Sequence, residues 1–431
     1  NYLEQRAKDR PQPPDWCYVN NFEDFDRPAT ICLPAGRGRQ LQKDVSQLVE
    51  DLQSAIPEAL EADEHRRKIE QTEQQFIDEH ELSLAGLAEL ARQHGLEIIR
   101  TPTGVAMAPV KEGQVISPEE FENLPDEKKK AIEDAVELLQ PKLQAVIQNL
   151  PRLRKSAREK VKELNRDACR FAIQHLVSPF RKAYANFSEV LAHLDAVEAD
   201  VVDRADEFRA PGEVSLPFAA PSSVPVFDQY LVNLLVDNAE TKGAPVIYED
   251  FPHYHNLIGR IEHISHMGSL VTDFSLIKAG AVHRANGGYL VVQARDVLTQ
   301  PFTWDALKRT LRSGQIQLQS LGSLFGLIST VSLRPQPNPL DIKVVLLGDR
   351  LLYYLLQQYD PEFNEHFKVA ADFSDETDRT PESCQQYAKL LAALCKRENT
   401  RPLDRRAVAL TIEHAARQVA DREKLSTHMR S

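Results

Sequence analysis

The sequence predicts an α/β domain split by a long helical insertion and followed by a smaller all-helical region. Three observations carry that prediction. First, the 17 glycines sit at 36, 38, 86, 95, 104, 113 and 212, with ten more between 243 and 348, so 39–85 and 114–211 contain none. Glycine costs ~1 kcal/mol per helical position, so such stretches suit helices. Second, Ile132, Val136, Leu139, Leu143, Val146, Leu150, Leu153 and Ala157 follow alternating steps of four and three, a heptad seam. Third, short apolar runs alternate with helical patterns and glycine turns over 243–348, as in a parallel, doubly wound sheet.

The strands expected in that sheet are Trp16–Asn20, Val246–Glu249, Tyr289–Val292 and Lys343–Leu347, with a weaker one at Phe367–Ala370. A helix over Trp304–Arg312 separates two of them. In the insertion, Leu41, Val45, Leu48, Leu52 and Ile56 form a first seam. The heptad seam resumes after a stutter at Val161, Leu164, Ala168 and Phe171. Another runs through Phe180, Tyr184, Phe187, Leu191 and Leu194. Pro141, Pro151 and Pro179 are expected to kink or divide these helices. An antiparallel helical arm and an ordinary helical bundle both satisfy the seams. A hairpin is expected near 96–108, and Ser117-Pro-Glu-Glu120 reads as a capping box. Pro211 to Pro225 reads as a linker or extended crossing. At the end of the chain, helices are expected from Thr380, from Pro402 and from near Glu423.

A length of 431 residues suggests two to four domains at ~150 residues each. With 42% hydrophobic and 27% charged residues the chain is neither a disordered tail nor a membrane protein. Its apolar runs fall far below the ~18 residues that span a bilayer. The net charge of -12 argues against a general nucleic-acid binder, though a basic patch fits inside it. The five cysteines are dispersed and no signal peptide is evident, which points to a reduced, cytoplasmic setting. Asn1 opens the chain instead of Met, so the sequence is expected to be an excerpt of a longer one.

Direct searches for chemistry return little. There is no G-x-x-x-x-G-K-[ST] loop and no G-x-S-x-G elbow. Ala35-Gly-Arg-Gly-Arg39 precedes a helix and reads either as an anion site or as a turn with solvated arginines. His253, His255, His263 and His266 lie close together, but no cysteine joins them, so no metal site is expected.

One set of segments carries a family resemblance. Val246-Ile-Tyr-Glu249, Asn256-Leu-Ile-Gly-Arg-Ile-Glu262 and Gly280-Ala-Val-His-Arg-Ala-Asn-Gly-Gly-Tyr-Leu290 resemble the B-type branch of the Lon protease family. Asp15–Phe22, Leu33–Arg39, Lys343–Arg350, Asp360–Phe373 and Lys424–Arg430 resemble its Lon-related ATP-dependent proteases of bacteria. The resemblance covers roughly residues 11–40 and 227–431. It implies an AAA+-like parallel sheet sandwiched by helices over 1–38 and 211–375, a coiled-coil-like insertion over 39–210, and a helical lid over 376–431. It places the phosphate loop and first strand before Asn1 and a Ser–Lys protease domain beyond Ser431, so no catalytic residue is expected here.

The family's cofactors are ATP and Mg2+, and its partners are unfolded or misfolded proteins within a hexameric ring. By the resemblance, Gln293 and Ala294 stand where the Walker B Asp-Glu falls. Asp349 stands at the sensor-1 position, Arg430 at sensor 2, and Asn364 and His366 where an arginine finger is expected. Neither glutamine nor alanine holds Mg2+ or polarises water well, so this chain is expected to lack ATPase as well as peptidase activity. The resemblance implies pore loops at Thr272–Leu276 and Gly322–Gly326 in which Phe274 and Phe325, with Leu276 beside the first, contact substrate. As pore residues the phenylalanines should be exposed, and as anchors of their own loops, the alternative, they should be buried. The alternative is a non-enzymatic AAA-like scaffold or adaptor that binds proteins through its helical arm.

Overall fold

A computed structural model describes residues 2–101, 104–111, 114–116, 125–208, 227–266, 269–319 and 333–428. The capping box at Ser117, the linker at 211–225, the loop holding Phe325, and Arg430 lie outside the described residues. The chain divides into two compact units, Asn1–Leu347 and Gly348–Ser431.

The first unit holds a parallel sheet of three strands, with Tyr289–Gln293 between Lys343–Leu347 and Val246–Glu249. Tyr289 pairs with Lys343 on one side and Val246 on the other, so the three carboxyl ends finish together. Helix Thr303–Ser313 buries Ala306, Leu307 and Thr310. The run at Trp16 does not join this sheet. Asp15–Val19 is instead the middle of an antiparallel sheet, between Ala29–Leu33 and Val232–Val236. All five of its residues are buried. Side chains alternate across a strand, so Cys17 and Val19 enter the core under the helical arm while Trp16 and Tyr18 enter the α/β core. Burial on both faces by two different cores reads in sequence just like a parallel strand. The expected strand at Phe367–Ala370 is also absent; Val369 there is 87% exposed.

The insertion is an antiparallel helical arm. Helices Arg37–Glu61 and Asp63–Gln93 run outward, broken at Ala62, whose ψ of 138° leaves the helical region. Leu41, Val45, Leu48, Leu52 and Ile56 are all buried. The return helix, Asp126–Ala183, is unbroken for 58 residues, about 87 Å at 1.5 Å per residue. Its three prolines do not divide it. Each is exposed, so the carbonyl that each proline leaves without an N–H donor can be hydrated.

A hairpin of Leu96–Thr101 and Gly104–Lys111 caps the tip, with Gln114–Val115 beside it. Leu87, Ala91, Leu96, Leu139 and Leu143 form the tip core. At the base the buried side chains are Cys169, Ile173 and Val177, and Phe171 is 80% exposed, so the seam proposed through Phe171 is displaced. The return helix changes partner along its length, from Asp63–Gln93 to Arg37–Glu61, and its buried face rotates accordingly. His65 marks the change: its Nε2 lies 2.9 Å from Oδ1 of Asn165, whose Nδ2 donates to Asp206 at 2.8 Å. The seam from Phe180 to Leu194 spans two helices, because the chain turns at Tyr184 and restarts as Ser188–Asp203.

In the second unit, Pro381–Arg397 and Arg405–Val419 bury Tyr387, Ile412, Ala415, Ala416 and Leu425. Thr380 and Ser383 cap the first of these helices reciprocally. The helix expected near Glu423 is a strand instead, Lys424–Ser426 paired with Glu376–Asp378.

Candidate functional site at the carboxyl edge of the parallel sheet

Ligands of open α/β sheets bind outside the carboxyl ends of the strands. In the first unit those ends carry Glu249 and Gln293. Gln293 Nε2 donates to the Tyr248 hydroxyl on the neighbouring strand at 3.1 Å. Ala294 is 4% exposed and opens the helix Ala294–Thr299 against the core. Glu249 pairs with Arg284 at 3.0 Å. Arg284 ends the short helix Ala281–Arg284, on the same segment as His283. His283 is buried, and burial pushes its pKa from 6.5 down to about 4, so it is neutral at physiological pH.

This donor set does not fit Mg2+. A hard cation takes carboxylate and water oxygens. Here one position is an amide engaged with Tyr248, the next has no side-chain oxygen, and the adjacent carboxylate is neutralised by arginine. Asp349, in the second unit, caps helix Arg350–Tyr359 by accepting from Leu352 N–H at 2.8 Å. Asn364 and His366 lie in the short helix Phe363–His366.

Phe274 is not exposed. It is 4% accessible, packs in the α/β core and anchors the turn Phe274–Leu276, which Asn233 Nδ2 holds by donating to Phe274 O at 2.8 Å. Its outer edge helps line a groove of about 580 Å³ that includes Gln42, Lys43, Asn233 and Lys278. Leu276 is half-buried. The exposed apolar side chains nearby are Ile264 and Leu270, on the strand pair Ile264–His266 and Ser269–Val271. Sequence reasoning missed them because that pair is short and flanked by histidines. His253 caps helix Tyr254–Ile258, accepting from Asn256 N–H at 3.0 Å. Among the described residues no three His, Cys, Asp or Glu side chains gather as metal ligands.

The glycine-rich turn at 35–39 resolves differently from either reading. The helix N-terminus that follows it already has an anion, the buried carboxylate of Asp15, which accepts from Gly38 N–H at 2.9 Å. Arg39 is not simply solvated; it pairs with Asp237 at 2.6 Å and Glu240 at 3.3 Å.

The parallel sheet, its site edge and the C-terminal helical unit together describe an AAA-type module. Three family models agree. A LonB-like AAA domain matches residues 242–374, a Lon-like LonC helical domain matches 15–48, and the LID domain of archaeal LonB AAA+ ATPases matches 402–431. Each of these matches relates a part of the chain to the Lon protease family. A Lon protease homolog of Escherichia coli K12 is 27% identical over 155 residues, 35% of this chain and 25% of that relative. An archaeal Lon protease of Archaeoglobus fulgidus is 25% identical over 210 residues, 48% of this chain and 33% of that relative. The chain thus spans a quarter to a third of the length of these relatives. No described helix is long and apolar enough to cross a membrane.

Proposed function

We propose that this chain is the substrate-recognition, unfolding and assembly portion of a Lon-type ATP-dependent serine protease that degrades proteins, with degenerate ATPase motifs in this chain, which by itself lacks both ATPase and peptidase activity. The observation that carries the degenerate-site reading is the Gln293–Tyr248 hydrogen bond where a magnesium-binding carboxylate is needed. The degradative reading rests on the LonB-like AAA and LID matches in one chain with a long helical arm. In this reading the subunits form a ring, hexameric by analogy with the family, in the cytoplasm, and their partners are unfolded or misfolded proteins.

Substrate contact is assigned to loops of the α/β module. Phe274 supports its turn from inside, so the contact falls to Leu276, to Phe325 and to the exposed Ile264 and Leu270. Apolar side chains grip an unfolded chain with little sequence preference. The outer edge of Lys343–Leu347 supports a further strand beside it. Lys343 N–H donates inward to Gly288 O at 2.9 Å, so by alternation Val344 and Leu346 point theirs outward. We assign that edge to the strand that bears the phosphate loop in the family.

The test is degradation of a fluorescein-labelled unfolded protein by the full-length protein, with and without ATP. Cleavage blocked by a serine-reactive inhibitor supports the reading. Binding of the unfolded protein without cleavage overturns it in favour of the scaffold or adaptor.

A further inference from the structure

We infer that Asp15 is a built-in anion that clasps the first turn of the helical arm to the loop feeding the parallel sheet. A helix N-terminus leaves several N–H groups unsatisfied and carries partial positive charge. Helix Arg37–Glu61 has Gly36 at its N-cap, in the left-handed region at φ 81°, and no side chain of its own to cap it. The carboxylate of Asp15, 0% exposed, supplies the acceptor from a different segment. Its Oδ2 accepts from Gly38 N–H at 2.9 Å and its Oδ1 from Asn238 N–H at 2.7 Å. Charge-assisted bonds of this kind stabilise a buried carboxylate.

The approach requires glycine. A Cβ on Gly38 would sit 2.8 Å from the Asp15 Cβ and 2.9 Å from Leu234 Cδ1. Asn238 returns a bond, donating from Nδ2 to Pro14 O at 2.8 Å. The loop holding Asn238 leaves strand Val232–Val236 and leads to Val246–Glu249 of the parallel sheet. One carboxylate therefore ties the arm, the antiparallel sheet and the entry to the parallel sheet, and these segments move as one piece.

Hydrogen exchange on the 431-residue chain tests the clasp. Asp15→Ala leaves two buried N–H groups unpaired and opens a space of carboxylate size. Exchange should rise about tenfold or more at both 36–41 and 236–240. Formate at ~100 mM should reverse both rises in the variant and leave the wild type unchanged. A rise on one side only, no response to formate, or an equal response in both proteins would overturn the inference. Should Asp15→Ala fail to fold, Asp15→Asn keeps the volume but sets an NH2 against one of the two donors. It should loosen 36–41 and 236–240 while leaving Tyr289–Gln293 unchanged; no change at either segment would equally overturn the inference.

Discussion

The base of the helical arm and the carboxyl edge of the parallel sheet both hold polar side chains at the ends of strands, and they partner them differently. At the arm base the anion is internal: Asp15 fills the helix N-terminus with a buried, doubly bonded carboxylate. At the sheet edge the polar side chains pair with one another, Gln293 with Tyr248 and Glu249 with Arg284. A glycine-rich turn or a strand end marks where charge fits. Only the partner of each polar atom tells whether that fit serves a ligand or the fold.

The largest expected effects lie at the arm base. Asp15→Ala should cost several kcal/mol, because each buried N–H left unpaired costs about 1–3 kcal/mol. Leu52→Ala, at a fully buried seam position of the same helix, should cost about 2–5 kcal/mol. Urea unfolding of each variant measures both. If Asp15→Ala proves as mild as a surface change, the contrast between the two regions collapses.

The next effect is acid sensitivity. His193 at the arm base and His283 beside the sheet are both buried, and burial lowers each pKa from 6.5 to about 4. Between those values the unfolded chain binds protons that the folded chain does not. Stability therefore falls as pH drops from 6.5 to 4, by roughly 3 kcal/mol for each histidine. The double variant His193→Phe/His283→Phe should flatten the pH dependence of the urea midpoint over that window.

The smallest effects sharpen the comparison from the other side. Gln293→Ala removes a bond between a half-buried amide and an exposed tyrosine, and should cost no more than about 1 kcal/mol. Phe171→Ala, 80% exposed on the arm, should change stability by less than about 0.5 kcal/mol. A loss of several kcal/mol from Phe171→Ala would restore the heptad seam that the structure displaces.

The arm was the most legible part of the sequence, since missing glycines and heptad steps are local signals. The first seam is buried throughout, from Leu41 to Ile56. The later seam failed at Phe171 because burial there depends on which helix lies opposite, and the return helix changes partner near Asn165. Prolines 141, 151 and 179 do not divide the return helix, and a proline's freed carbonyl is tolerated where it can be hydrated. The strand at Trp16 was legible as a strand but not as to sheet, because two cores on two faces give the same apolar run as a parallel sheet. At the candidate site, the strands that end at Glu249 and Gln293 were legible as short apolar runs. The Tyr248 and Arg284 partners were not, since they come from neighbouring elements.

We propose that the 431-residue chain by itself does not hydrolyse ATP although its parallel sheet is folded. Magnesium-dependent phosphate release by the purified 431-residue chain tests it most directly, measured with ATP in the presence and absence of an unfolded protein. Background release is expected in both conditions, from a chain that hydrogen exchange shows to be folded. Release well above background, abolished by Gln293→Ala, would contradict it.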